Sequence, residues 1–85
     1  MRILIVEDDL VLADGLKNSL MQSGYAVDLA VNGTDADGIL VYQGFDLVVL
    51  DLGLPKLSGF EVLKRLRSRG SKTPVLILTA NGNVE

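Results

Sequence analysis

Asp46-Leu-Val-Val-Leu-Asp-Leu-Gly-Leu-Pro-Lys-Leu-Ser58 is the stretch from which the fold can be read. Leu47 to Leu50 is an unbroken apolar run that ends in one carboxylate, Asp51. A short apolar run bounded by polar and turn residues fits a strand buried on both faces. Asp51 then stands at the carboxyl end of that strand, which is where open parallel sheets bind ligands. Pro55 keeps the following residues from extending the strand. Asp is also a common turn residue, so an acid that merely ends a strand is the competing reading of Asp51 taken alone.

The same pattern recurs on either side. Ile3 to Val6 is a second apolar run, and it ends in Glu7, Asp8 and Asp9. Val75 to Leu78 is a third, and it ends in Thr79. Between these runs lie helical patterns. Leu12, Ala13, Leu16 and Leu20 recur at helical spacing over Leu10 to Gln22, with Asp9 as N-cap and Gly24 as the stop. Tyr25 to Ala30 reads as a short strand with Val27 and Leu29 on one face, and Asn32-Gly33 as a turn. Thr34 and Asp37 resemble a capping box. The helix they open shows Ala36, Ile39, Leu40 and Gln43 on one face and stops near Gly44. Ser58 and Glu61 form an S-x-x-E box ahead of a stripe of Phe60, Val62, Leu63 and Leu66. Lys64, Arg65, Arg67 and Arg69 read as the solvated face of that helix, and Gly70 ends it. Ala80-Asn81-Gly82-Asn83 reads as loop. Strands alternating with helices predict a parallel sheet with right-handed crossovers and helices on both faces.

Composition narrows the chemistry. The 85 residues suffice for one small domain, and 48% hydrophobic against 22% charged residues argues for a packed core over disorder. No apolar run approaches the ~20 residues of a membrane helix. Met1-Arg2 leads into an apolar run too short for a signal-peptide core, so a cytoplasmic protein is expected. Cysteine is absent, which excludes disulfides and thiolate chemistry. Histidine is absent too, so any metal must be held by oxygens, as magnesium or calcium are. A net charge of −3 offers no footprint for nucleic acid.

Three of the four predicted strands end in oxygen-bearing side chains: Glu7 and Asp8, Asp51, and Thr79. A parallel sheet brings such ends to one edge. Crowded carboxylates repel one another, and a divalent cation relieves that repulsion. Magnesium takes one or two carboxylates, waters and substrate phosphate. A carboxylate beside such a metal can attack a phosphoryl group and form an aspartyl phosphate. The Thr79 hydroxyl could then donate to a phosphoryl oxygen.

With these residues in view, the chain resembles the receiver domain of bacterial two-component response regulators, closest in pattern to the OmpR/PhoB group of transcription factors. The matching stretches are Ile3-Leu-Ile-Val-Glu-Asp-Asp9, Gly24-Tyr-Ala-Val-Asp28, Asp46-Leu-Val-Val-Leu-Asp-Leu-Gly-Leu-Pro55, Ser58-Gly59 and Pro74-Val-Leu-Ile-Leu-Thr-Ala80. The resemblance implies a flavodoxin-like doubly wound parallel sheet with strand order 2-1-3-4-5. It implies that Asp51 is the phosphoacceptor and that magnesium is held by Glu7, Asp8, Asp51 and the Gly53 carbonyl, with Glu7 acting largely through water. Thr79 would be the switch hydroxyl. Gly53, Thr79 and the Ala80 amide would face the phosphoryl group. Asp9 keeps its capping role. The implied activity is that of a signalling phosphoacceptor, not of an enzyme. The implied partner is a sensor histidine kinase, docked on the first helix around Leu10 to Leu16 and the loop near Pro55. DNA would be reached only through a C-terminal effector domain.

Two departures accompany the resemblance. Asn81-Gly82 stands where this group carries a basic and then an acidic residue. The chain also ends at Glu85, roughly 35 to 40 residues before a receiver's last helix, strand and helix would be complete. The phosphate-binding lysine would lie there, and none of Lys17, Lys56, Lys64 or Lys72 sits at a strand end. Residues 1–85 are thus expected to form an incomplete receiver missing its last strand and last two helices. Val75 to Leu78 would be an open edge that favours a homodimer or strand-exchanged oligomer. An inactive structural or engineered fragment is one alternative. A haloacid-dehalogenase-type phosphohydrolase is another, but it wants a second Asp two residues after the first, where this chain has Gly53. No G-x-G-x-x-G follows the first strand, which argues against a dinucleotide binder.

Overall fold

The computed structural model describes residues 1–78. The elements run β1 (Arg2–Val6), α1 (Leu10–Gln22), β2 (Ala26–Ala30), α2 (Gly33–Tyr42), β3 (Leu47–Asp51), α3 (Gly59–Ser68) and β4 (Val75–Leu78). All strand pairs are parallel and the sheet order is β2-β1-β3-β4, the flavodoxin-like arrangement that the alternation and the resemblance predict. The expectations for Thr79, Ala80 and the loop at 81–83 lie outside the described residues.

The unbroken apolar runs follow from burial on both faces. Ile3, Ile5 and Val49 point to one side and pack with Leu16 and Leu20 of α1. Leu4, Val6, Val48 and Leu50 point to the other and pack with Ala36 and Leu40 of α2 and Val62 and Leu66 of α3. A strand covered on both faces has no polar side to alternate with. Each of these buried aliphatic side chains contributes about 1.5–3 kcal/mol when removed from water. Among the described residues β4 pairs with β3 alone, and its Leu76 and Ile77 are exposed.

The helix ends conform in part. Asp9 caps α1, its Oδ1 accepting from the Val11 and Leu12 amides at 3.1 and 3.2 Å. Ser58 caps α3 by accepting from the Glu61 amide at 3.2 Å, while the Glu61 carboxylate turns to Arg65. The cap of α2 is Asn32, not Thr34. Asn32 Oδ1 accepts from the Asp35 amide at 2.8 Å and its Nδ2 donates to the Asp35 carboxylate at 3.0 Å. The helix begins at Gly33, right after this cap, and the Leu57 carbonyl occupies the space a Cβ would need there. Phe60 is 67% exposed and does not belong to the stripe of α3. Its two-residue offset from buried Val62 turns it about 200° around the helix, to the far side.

The basic run of α3 is exposed, as expected of a solvated face, and part of it also works as a clamp. Arg65 and Arg69 both reach Asp37 of α2, at 3.3 and 3.0 Å. Arg67 donates to the carbonyls of Ser71 and Thr73 and fixes the turn into β4. Asp37 is the half-hidden member, its side chain 16% exposed, so its pairs are less screened than open surface pairs. Replacing Asp37 with Ala is expected to lower stability by about 1 kcal/mol at low salt. The loss should shrink at ~1 M salt, where screening removes most of the attraction. Urea unfolding of both proteins at two ionic strengths measures it.

Candidate functional site: an acidic cleft at one edge of the sheet

Side-chain parity builds the site. Glu7 follows Ile3 and Ile5 by even steps, and Asp51 follows Leu47 and Val49 likewise. Alternate residues of a strand share a face, so both carboxylates emerge on the face that α1 covers. The register pairs Val6 with Leu50, which sets Glu7 and Asp51 level at the carboxyl edge. The Glu7 amide donates to the Ala30 carbonyl at 3.0 Å and holds the backbone in line with β2. Asp8 follows at the turn into α1. One oxygen from each of Glu7, Asp8 and Asp51 lies within 4.8 Å of the others.

The cleft they line measures about 440 Å³ and is walled by Leu12 and Leu16 of α1, Gly53 and Leu78. Glu7 is 4% exposed and Asp51 6%, while Asp8 is open to solvent. The Asp9 amide donates to Glu7 Oε2 at 3.0 Å, and the Gly53 amide donates to Asp51 Oδ1 at 3.0 Å. Each acid is thereby fixed by the backbone two residues on. Among the described residues no Lys or Arg pairs with any of the three carboxylates. Burial pushes the Glu7 carboxyl above its ordinary pKa. The Asp9 amide works against that shift, and the neighbouring Asp51 charge adds to it, as do hydrogen bonds with Asp51 and Asp8. The site is thus short of positive charge.

A hard divalent cation meets that shortage. All the donors are carboxylate oxygens, two of them buried and ordered, and the open side at Asp8 leaves room for water. This suits magnesium, which keeps several waters and needs few protein ligands. Of the residues singled out in the sequence, Glu7, Asp8, Asp51 and Gly53 come together here. Leu12 and Leu16, picked out from their helical spacing, also wall the cleft in part, Leu16 while packing on the core. Their apolar character gives no hint of that position.

The family description "Response regulator receiver domain" matches residues 3–85. The response regulator protein PmrA of Pseudomonas aeruginosa is 49% identical over 99% of the chain, and the transcriptional regulatory protein QseB of Escherichia coli O157:H7 is 41% identical over all of it. The chain spans 38% and 39% of the lengths of these two relatives. Among solved structures, the response regulator protein TrrA of Thermotoga maritima in complex with Mg(2+)-BeF superposes with a TM-score of 0.87 at 37% identity. That match covers 93% of this chain and 69% of the other. The receiver domain of a Pseudomonas aeruginosa sensor histidine kinase, with magnesium coordinated in its active-site cleft, gives 0.89 at 33% identity. It covers 94% of this chain and 67% of that one.

The raised Glu7 pKa has a consequence for stability. A folded-state pKa above the unfolded one contributes stability at low pH that is lost as pH rises through the folded value. Glu7→Gln mimics the protonated acid. In chelator it is expected to unfold at higher urea than the parent near pH 7, with the gap closing toward about pH 4. Urea midpoints of both proteins across that range check the sign.

Proposed function

The chain belongs to the response regulator receiver domain family, with OmpR/PhoB-type relatives, and from that premise we propose that it accepts a phosphoryl group on Asp51 with magnesium held at Glu7, Asp8 and Asp51. The observation that carries this reading is the convergence of three carboxylate oxygens within 4.8 Å at the end of β3, with no basic partner among the described residues.

Each residue has a part. Asp51 is the nucleophile: a carboxylate oxygen attacks phosphorus, the new O–P bond forms, and the bond from phosphorus to the donor breaks with its electron pair leaving on the donor. The Gly53 amide on Oδ1 holds the carboxylate in one orientation before attack. Asp8 and Asp51 would hold the cation directly, Glu7 would act largely through water, and the Gly53 carbonyl would complete the protein ligands. Magnesium, when bound, offsets the negative charge of the phosphoryl oxygens and the acids. Thr79 and the Ala80 amide are assigned to the phosphoryl group by their place in the sequence after β4.

The chain has no histidine, so the donor imidazole is supplied by a sensor histidine kinase. Leu10 and Val11 at the start of α1 are 65% and 85% exposed beside the acidic cleft, which supports that helix end and the loop near Pro55 as the docking surface. The output proposed for the whole protein is transcriptional, through a C-terminal DNA-binding effector, as the names of the relatives suggest. The family's role is signalling, and the phosphorylated domain is the signal.

Acetyl phosphate with magnesium is expected to add one phosphoryl mass to the parent and none to Asp51→Asn. Equal labelling of that variant contradicts the assignment. Asp8→Asn should weaken magnesium binding on the order of tenfold or more, given the size of a charge pair near a protein surface. Asp9→Asn, at the cap, should weaken it far less. Magnesium titration of the three proteins separates the two positions.

A further inference from the structure

We propose that Gly59, the first residue of α3, is a positioning residue for the acidic centre: lacking a Cβ, it lets α3 seat directly against the backbone of Asp51 and Leu52 and so sets where the Asp51 carboxylate stands. This inference rests on the reading of Glu7, Asp8 and Asp51 as a magnesium centre.

A Cβ built on Gly59 would overlap the Asp51 carbonyl oxygen and lie 2.7 Å from the Leu52 Cα and 3.0 Å from the Asp51 carbonyl carbon. All three are backbone atoms, and backbone cannot rotate aside as a flexible side chain can. Gly59 does not adopt a left-handed backbone, so the glycine is needed for room and not for its dihedral freedom. At Gly15, Gly24, Gly38, Gly44 and Gly70 an added Cβ meets nothing within 4 Å. Among the described residues only Gly33 is as crowded, and it meets Leu57 of the same loop, whereas Gly59 meets the backbone of the acid itself.

The contact acts on the site through a short closed loop. The Gly59 amide donates to the Leu52 carbonyl at 3.2 Å, and the Gly53 amide donates to Asp51 Oδ1 at 3.0 Å. Residues 52–58 leave the strand at the acid and return to it at Gly59. The far side of the loop is held by α2: the Gly33 amide donates to the Pro55 carbonyl at 3.4 Å, with the Leu57 carbonyl against the Gly33 Cα. The loop has little freedom to absorb a methyl group. Either Asp51 and Leu52 move, which changes the distance from the Asp51 carboxylate to Glu7 and Asp8, or α3 does, which pulls on the loop whose Gly53 amide orients that carboxylate. Reactive geometry tolerates about 0.5 Å, and a displacement of about 1 Å can cost on the order of a hundredfold in rate.

The test compares the 85-residue parent, Gly59→Ala and Leu66→Val. The last trims the core seven residues along α3, away from the loop. Three quantities are read: the urea midpoint, the magnesium Kd, and the rate of phosphorylation by acetyl phosphate at saturating magnesium. Both variants are expected to lose stability. Gly59→Ala alone is expected to raise the Kd roughly tenfold and to slow the saturated rate roughly tenfold to a hundredfold. If Gly59→Ala is unfolded in buffer, all three proteins are compared in sucrose, which strengthens burial without entering the site. A folded Gly59→Ala with the parent's Kd and saturated rate overturns the positioning role while leaving the magnesium centre intact. A parent that binds no magnesium overturns both.

Discussion

Glu7 and Asp51 repel one another in a place from which water is largely excluded, and the structure is built to hold them there. The two central strands place them on one face and at one level through parity and register. Backbone amides of Asp9 and Gly53 offset part of the cost, but no side-chain cation stands among the described residues to offset the rest. Like charges crowded at a buried edge raise the free energy of the empty site. A bound cation would recover that energy. A cleft that was comfortable without metal would bind it less well.

The remainder of the fold resists the strain. β1 and β3 are covered on both faces, so a shift of one strand by a residue would turn every core side chain outward. The Asp37 clamp ties α2 to α3 through Arg65 and Arg69. Those two helices in turn grip the loop that leaves Asp51, one at Gly33 and the other at Gly59. Strand register and the loop contacts thus oppose any relaxation of the acids by bending the strands or opening the loop. What remains to them is to take up a proton, as burial and neighbouring charge favour at Glu7, or to take up a metal.

Much of this was legible in the residues. Apolar runs ending in polar residues predicted the strands and the shared edge, because a doubly covered strand leaves that mark on composition, while the strand order came from the family resemblance. Asp9 and Ser58 announced their helices because capping is local. The cap of α2 was misread because Asn32 and Thr34 are both good caps, and it is Asn32 whose side chain reaches the Asp35 amide and carboxylate. Phe60 was placed in the core by its chemistry, whereas its angle on the helix puts it outside. Arg65 and Arg69 lie on the exposed face expected of them, but their pairing with Asp37 was not legible, because helical periodicity carries no information about charges on another helix. The close seat of Gly59 on Asp51 was invisible for the same reason: the residues are neighbours only once the loop has closed. Thr79 and Ala80 stand on the sequence alone.

The account depends most on the claim that Glu7 and Asp51 oppose one another until a cation joins them. A double-mutant cycle on stability with Glu7→Gln and Asp51→Asn, run in chelator and again at saturating magnesium, measures that interaction directly. An unfavourable coupling in chelator that turns favourable with magnesium is the result expected. A coupling near zero, or one that magnesium leaves unchanged, would contradict the account.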